Sequence, residues 1–399
     1  MPTEATSNVV TFDEAPPPGF INFGVGQPSA DLLPLELVRE ASERFFAGGH
    51  PLELNYGPKQ GDPHFRSALA AMLEREHGAA APADSLFVTA GSSQALDFVC
   101  GCFTQPGDVV FAEDPSYFLA FQIFRDHGLE VVGIPVDEEG MDVDALERAL
   151  RHRRPKLVYV IPSFQNPTGR TTSGERRRRL VELSRAHDFL VVADEVYQML
   201  WHRAPPPPAL GTLVERGNVL SLGSFSKILA PGLRLGWIQA NAALLERLLA
   251  SGVVNSGGSF NQYTSHIVRQ AIEAGLLEAL VGRLREAYRG RVEAMDRALR
   301  QHAERHLEWQ RPDGGYFFWL RLRGAGDTSE LKRHVDAFRT GFQPGALFSA
   351  SGDGLHDRLR LSFAHYGESD IAEGVARLAA LLDRHAGGAC RDSAHALQY

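Results

Sequence analysis

Apolar residues in the central part of the chain come in short unbroken runs separated by longer amphipathic stretches. Leu86-Phe87-Val88, Val109-Val110-Phe111, Val131-Val132-Gly133-Ile134, Leu157-Val158-Tyr159-Val160-Ile161, Phe189-Leu190-Val191-Val192-Ala193 and Val219-Leu220-Ser221-Leu222 read as strands. Between them, the stretches leading to Phe98, around 118–124, over 142–150 and over 176–186 read as helices. Strands this continuous in Val, Ile and Leu are buried on both faces, so the pattern predicts α/β architecture with a mostly parallel sheet covered by helices. In such sheets ligands bind beyond the carboxyl ends of the strands. Polar clusters at Gly91, Asn166, Asp194 and Ser224 each follow a strand, which predicts that they meet on that edge.

The charged amphipathic stretch 276–301 reads as one long helix linking two units. Beyond it, 315–320 and 359–363 read as strands, with helices near Leu331 and Ala372, which predicts a smaller α+β domain. The expected division is an N-terminal arm with part of the small domain over 1–48, a large domain over 49–285, a C-terminal small domain over 286–385, and a tail over 386–399. Four consecutive prolines, Pro205 to Pro208, predict an extended rim loop.

Composition narrows the function classes. A chain of 399 residues with 44% hydrophobic and 23% charged residues has room for two globular domains. A net charge of −8 weighs against nucleic acid and anionic membranes as partners. The run Arg176-Arg177-Arg178-Arg179 follows Ser173 and Glu175 at a helix start, so it is expected to be a solvated helix face. Cys100 and Cys102 sit too close together for a comfortable disulfide, and Cys390 is distant; neither a disulfide framework nor a metal site is expected. Residues 1–18 lack the basic start and apolar core of a signal peptide, and no apolar run is long enough to cross a bilayer. A cytoplasmic location is the expectation.

Candidate chemistry concentrates at Lys227. Only four of the 41 basic residues are lysines (Lys59, Lys156, Lys227 and Lys332), and Lys227 stands in Ser224-Phe225-Ser226-Lys227, one short loop before Arg234. A lysine, unlike an arginine, can lose its proton, attack a carbonyl carbon and hold it as a Schiff base. Serines and an arginine beside it suit a phosphate. An aldehyde and a phosphate on one small molecule describe pyridoxal 5′-phosphate. The Ser-x-x-Lys of penicillin-recognising enzymes fits the same four residues, but its companion Lys-Thr-Gly is missing from the chain.

The remaining motifs, in chain order, are Tyr56-Gly57-Pro58-Lys59-Gln60-Gly61, Gly91-Ser92-Ser93-Gln94, Asp114-Pro115-Ser116-Tyr117, Asn166-Pro167-Thr168-Gly169, Asp194-Glu195-Val196-Tyr197 and Arg360. Together with the Lys227 region, this order resembles the class I/II aminotransferases of fold type I, closest to the 2-aminoadipate and aromatic aminotransferase-like group. The resemblance runs from Ile21 to about Leu382 and implies an aspartate aminotransferase-like fold that binds pyridoxal phosphate.

It also implies roles. Lys227 is the cofactor-bearing base, Asp194 holds the proton on the ring nitrogen, and Tyr117 lies flat on the ring. Asn166 and Tyr197 donate to the ring oxygen. Ser92, Ser93, Ser224, Ser226 and Arg234 form the phosphate cup. Arg360, with Asn166 and backbone near Gly26, grips the substrate carboxylate. Tyr56 reaches the phosphate of a partner subunit, which implies a homodimer with shared sites. Transfer of an amino group from an L-amino acid to a 2-oxo acid is the implied activity. Elimination, replacement or cyclisation at the β or γ carbon uses the same residues and stays open at this point. A regulator with an N-terminal winged helix is not expected, because only about twenty residues precede Ile21.

Overall fold

The computed structural model describes residues 17–324 and 326–395. All six expected runs are strands of one eight-stranded sheet. Across it the order is Leu86–Thr89, Gly236–Ala240, Val219–Ser224, Leu190–Asp194, Leu157–Val160, Val109–Asp114, Glu130–Asp137 and Gly140–Met141. From Val219–Ser224 to Glu130–Asp137 every neighbouring pair is parallel. Alternate residues feed two separate cores. Val110, Leu157, Tyr159 and Val192 enter one, while Phe111, Val158, Val160 and Val191 enter the other. That is the two-sided burial which continuous apolar strands require.

The sequence reading missed one strand. Gly236–Ala240 runs antiparallel to both its neighbours, pairing Gly236 with Ser224 on one side and with Thr89 on the other. The chain therefore leaves the sheet at Ser224 and returns at Gly236 on the same edge. Lys227 and Arg234 lie in the connection, and the helix Ser92–Phe103 begins at the same edge after Thr89. Asp194 pairs with Leu222 and ends its strand there too. The expected convergence follows from this register.

The helix Leu276–His302 spans 27 residues and buries Leu277, Leu280, Leu284, Tyr288, Val292 and Met295 at helical spacing. It leads to a second sheet in which Leu307–Trp309, Phe317–Leu322, Arg358–Ser362 and Gln343–Pro344 pair antiparallel. Ile21–Asn22 pairs with Thr340–Gly341 beside this unit, whereas the helix Leu35–Gly48 packs on Gln262–Glu273 of the large unit. The last helix, Glu368–His395, packs on Leu276–His302. It stays helical across most of the stretch read as a tail from 386. Residues 396–399, and 1–16 of the expected arm, lie outside the described residues.

The arginine run departs from expectation in one residue. Ser173 caps the helix Gly174–His187 by accepting from the Arg176 N–H, and Arg178 and Arg179 face outward as a solvated face should. Arg177 points inward and is fully buried. Its guanidinium donates to Thr172 O at 3.0 Å, Pro162 O at 2.7 Å, Ser163 Oγ at 2.7 Å, Pro207 O at 3.2 Å and Pro208 O at 3.0 Å. Glu195 lies 3.8 Å away, and burial pushes the guanidinium pKa down to about 10 against that charge. Prolines bring carbonyls but no N–H groups, so the proline loop needs donors from elsewhere. Arg177→Met removes these donors and strands Glu195, which should cost about 3–5 kcal/mol in urea unfolding. The half-exposed neighbour change Arg179→Met should stay within about 0.5 kcal/mol of the parent. Equal effects of the two substitutions would mean that Arg177 does not hold the loop.

Candidate active site

A cavity of about 380 Å³ opens along the carboxyl edge of the large sheet. Its floor carries Asp194, Lys227, Ser226 and Arg234; its walls carry Ser92, Ser93, Tyr117, Asn166 and Tyr197. Gly24 to Pro28 and the smaller unit's Phe317, Gln343, Arg360 and His365 close the other side.

Asp194 is buried at its strand end. Its Oδ2 accepts from the Tyr159 hydroxyl at 2.9 Å, while Oδ1 is buried with no hydrogen-bond partner among the described residues. Burial pushes this carboxyl up to about 6, held back by the Tyr159 bond and by the charge of Lys227. An orphaned carboxylate oxygen facing a cavity is suited to a protonated ring nitrogen. The residues present therefore fit pyridoxal phosphate.

Lys227 is half-buried, and its Nζ donates to Gly26 O at 3.0 Å. Burial, with Arg360 adding repulsion, brings the amine down to about 8, against the pull of Asp194. Lys332 is also pushed down to about 8 by burial, but it donates to Phe342 O outside the cavity.

Anion-binding geometry lies at the start of Ser92–Phe103. Gly91 takes a φ of +94°, and no side chain caps the helix, so its first N–H groups face the cavity edge beside the Ser92 and Ser93 hydroxyls. Arg234 comes so close that a Cβ on Gly91 would sit 2.9 Å from its Nη2. Its guanidinium rests on Ala90 O at 3.3 Å and Pro231 O at 3.4 Å. Ser224 does not line the cavity. Its Oγ donates to Ser226 Oγ at 2.9 Å and accepts from the Ser226 N–H at 3.1 Å, so it orients Ser226 from behind.

Arg360 is buried on the strand Arg358–Ser362. Nη1 donates to Asn166 Oδ1 at 2.9 Å and Nη2 to Gly24 O at 3.0 Å, while Nε has no partner among the described residues. The plane lies over Phe317 at 4.1 Å and Phe348 at 5.0 Å. Among the described residues no carboxylate pairs with it, and burial lowers its pKa to about 10. A guanidinium desolvated in this way can take a carboxylate. Gly26 leaves room for it: a Cβ there would meet Phe317 at 3.3 Å and Arg360 Nη2 at 3.8 Å.

Tyr117 precedes the helix Phe118–Asp126 with its hydroxyl pushed up to about 12 by burial and Asp194; Tyr197 is buried and raised further, by burial first. Tyr56 does not line this chain's cavity and is 84% exposed. The sequence reading did not single out Tyr159, Gln343 or His365. Tyr159 had a signal, being the only polar side chain in an otherwise apolar strand; Gln343 and His365 had none, since only folding of the smaller unit brings them near.

Residues 18–378 match the family described as aminotransferase class I and II. An aromatic-amino-acid aminotransferase of Thermococcus litoralis is 34% identical over 365 residues, covering 90% of this chain and 87% of that one. The multiple substrate aminotransferase of Thermococcus profundus superposes with a TM-score of 0.87 at 32% identity, covering 96% of each chain. The α-aminoadipate aminotransferase of Thermus thermophilus, solved with N-(5′-phosphopyridoxyl)-L-leucine, gives a TM-score of 0.83 at 34% identity over 92% of each chain. With a family match across nearly its whole length, the chain belongs to the class I and II aminotransferases of fold type I and transfers amino groups with pyridoxal phosphate.

Proposed function

We propose that Lys227, Asp194 and Arg360 carry the reaction, on one observation: buried Asp194 and Arg360 and half-buried Lys227, drawn from both units, face a single cavity, and among the described residues none has an ion-pair partner within it. Pyridoxal phosphate, when bound, supplies a carbonyl carbon open to amines and a ring that accepts electrons from the substrate Cα. Asp194 Oδ1 keeps a proton on the ring nitrogen, with Tyr159 fixing the other oxygen. Ser92, Ser93, Ser226 and Arg234 hold the phosphate, with Ser224 positioning Ser226. Tyr197 and the Asn166 amide donate to the ring oxygen, and Tyr117 covers the ring face.

Arg360 takes the substrate α-carboxylate through two N–H groups, aided by backbone at Gly26. That orients the Cα–H bond toward Lys227. A lysine whose pKa has come down to about 8 is a usable base near neutral pH, so with the cofactor bound it would take and return the proton at the substrate Cα. The wall beside Arg360 (Val25, Phe118, Leu119 and Phe317) suits uncharged aliphatic or aromatic side chains on a 2-amino acid. The aromatic-amino-acid relative supports that preference.

The proposed domain division keeps the large unit over 49–285 and the small unit over 286–385, with the N-terminal arm split between them: Ile21–Asn22 pairs on the smaller side and Leu35–Gly48 packs on the large unit. A cytoplasmic place is proposed; no helix of the described residues is long and apolar enough to cross a membrane. A homodimer is proposed as well. Exposed Phe46, Leu52, Leu54, Tyr56, Val253 and Tyr263 lie on segments that pack together around the Tyr56 turn. The Ser259 N–H donates to Pro58 O at 3.2 Å, and Lys59 bonds Asn255 across the same turn. Apolar side chains gathered this way suit a closed isologous contact.

Borohydride reduction of the holoenzyme followed by peptide mapping should place the cofactor on Lys227; a label on Lys59, Lys156 or Lys332 rejects the assignment. Arg360→Ala should raise KM for 2-amino acids at least about thirtyfold, roughly 2 kcal/mol, while sparing simple amines that lack a carboxylate. An equal loss for both substrate kinds would remove the clamp. For the shared site, inactive Lys227→Ala and Tyr56→Ala chains are mixed and reassociated. One site of each heterodimer then has intact Lys227 and intact Tyr56, so activity should return. Verified heterodimers as inactive as their parents would show that Tyr56 acts within its own chain.

A further inference from the structure

Tyr316 precedes the strand Phe317–Leu322 and is fully buried, yet it touches Lys227 at two points. Its hydroxyl donates to Lys227 O at 3.3 Å, and the Lys227 ammonium stands 5.2 Å from its ring centroid. The Tyr288 hydroxyl, on the helix Leu276–His302, donates to the Tyr316 hydroxyl at 3.1 Å. We propose that Tyr316 is a positioning residue for the catalytic lysine: its hydroxyl fixes the backbone of Lys227, and its ring face seats the amine when that amine is not bonded to the cofactor. The inference rests on the proposed role of Lys227.

An ordinary packing role explains less. Tyr316 packs against Tyr197 at 5.5 Å and Tyr288 at 5.1 Å, contacts that any buried aromatic could make. Those contacts do not require a cation over the ring or a bond to the carbonyl of that same lysine. The amine needs such a seat. Of its three N–H groups, one goes to Gly26 O, and a desolvated ammonium gains from an aromatic face within about 6 Å. The other charged groups that act on it are Asp194 at the end of its strand, which favours the protonated form, and Arg360 and Arg234, which oppose it. The hydroxyls of Tyr117 and Tyr197 line the same cavity. Tyr316 makes no hydrogen bond to Asp194, Arg360 or Arg234, and a substitution that keeps its shape also keeps its packing on Tyr197, so a change in the lysine's titration reports on the ring of Tyr316.

The test uses the full chain loaded with pyridoxamine phosphate, a cofactor form that makes no covalent bond to lysine. The rate at which Lys227 reacts with an amine-specific acylating reagent is followed against pH by peptide mass spectrometry, and its midpoint gives the amine pKa. Tyr316→Leu should lower that midpoint by about half a unit to one and a half units, because the protonated form loses the ring. Tyr316→Phe keeps the ring and should leave the midpoint where it is. Should the leucine variant not fold, pentafluorophenylalanine at position 316 keeps the shape, reverses the ring's charge distribution and should lower the midpoint in the same way. Midpoints identical to the parent in the leucine or pentafluoro variant overturn the seat. So does a phenylalanine variant shifted as far as the leucine one. If borohydride mapping places the cofactor on another lysine while the shift persists, the seat stands and the role of Lys227 falls.

Discussion

The return of the chain from Ser224 to Gly236 is the constraint on which the site depends. Because the strand Gly236–Ala240 lies antiparallel between two strands that are parallel to each other, the loop between Ser224 and Gly236 is fixed at both ends to the carboxyl edge of the sheet. A parallel crossover would have carried the chain to the opposite edge and taken Arg234 away from Lys227. With both ends pinned, a lysine, a serine and an arginine from eleven residues of sequence face the first turn of the Ser92–Phe103 helix. Gly91 suits this turn because its positive φ is one that L side chains rarely adopt, and a Cβ there would also push the Arg234 guanidinium aside.

Onto this edge the protein loads charges that stability alone would not choose. Taking a carboxylate, an ammonium and a guanidinium out of water costs several kcal/mol each unless they are well paired. The surroundings recover part of that through single hydrogen bonds: Tyr159 to Asp194, Lys227 to Gly26, and Arg360 to Asn166 and Gly24. The bonds are too few to satisfy every polar atom, and Asp194 Oδ1 and Arg360 Nε are left over. Arg177 shows the alternative on the same sheet. There a buried guanidinium finds five acceptors and a nearby carboxylate, and its function is structural.

Much of this was legible in the sequence, and the limits have physical causes. The parallel strands declared themselves because two-sided burial writes continuous apolar runs. Their edge residues followed from the direction of the strands. Gly236–Ala240 did not stand out, since Gly-Trp-Ile-Gln-Ala mixes small, aromatic and polar positions although all five are buried in the fold. The inward turn of Arg177 was hidden because four identical residues carry no periodicity to say which faces the sheet. Ser224 stands with the phosphate-cup candidates in sequence, and folding adds that its Oγ bonds both the hydroxyl and the N–H of Ser226. Tyr159 and Tyr316 look like ordinary strand aromatics until tertiary packing brings Asp194 and Lys227 against them.

The segment Gly24 to Pro28 shows what the recovered bonds mean for binding. Gly24 and Gly26 offer their carbonyl oxygens to Arg360 and Lys227, the two groups proposed to meet the substrate carboxylate and the cofactor carbonyl carbon. The free protein thus holds its own stand-ins, two backbone dipoles in the places that incoming groups will take. Binding becomes an exchange in which each new contact replaces an old one, so its net gain is that of substitution rather than of first formation. On the proposed roles, a carboxylate released from Arg360 is followed there by the protein's own Gly24 carbonyl instead of by a vacancy that would grip it.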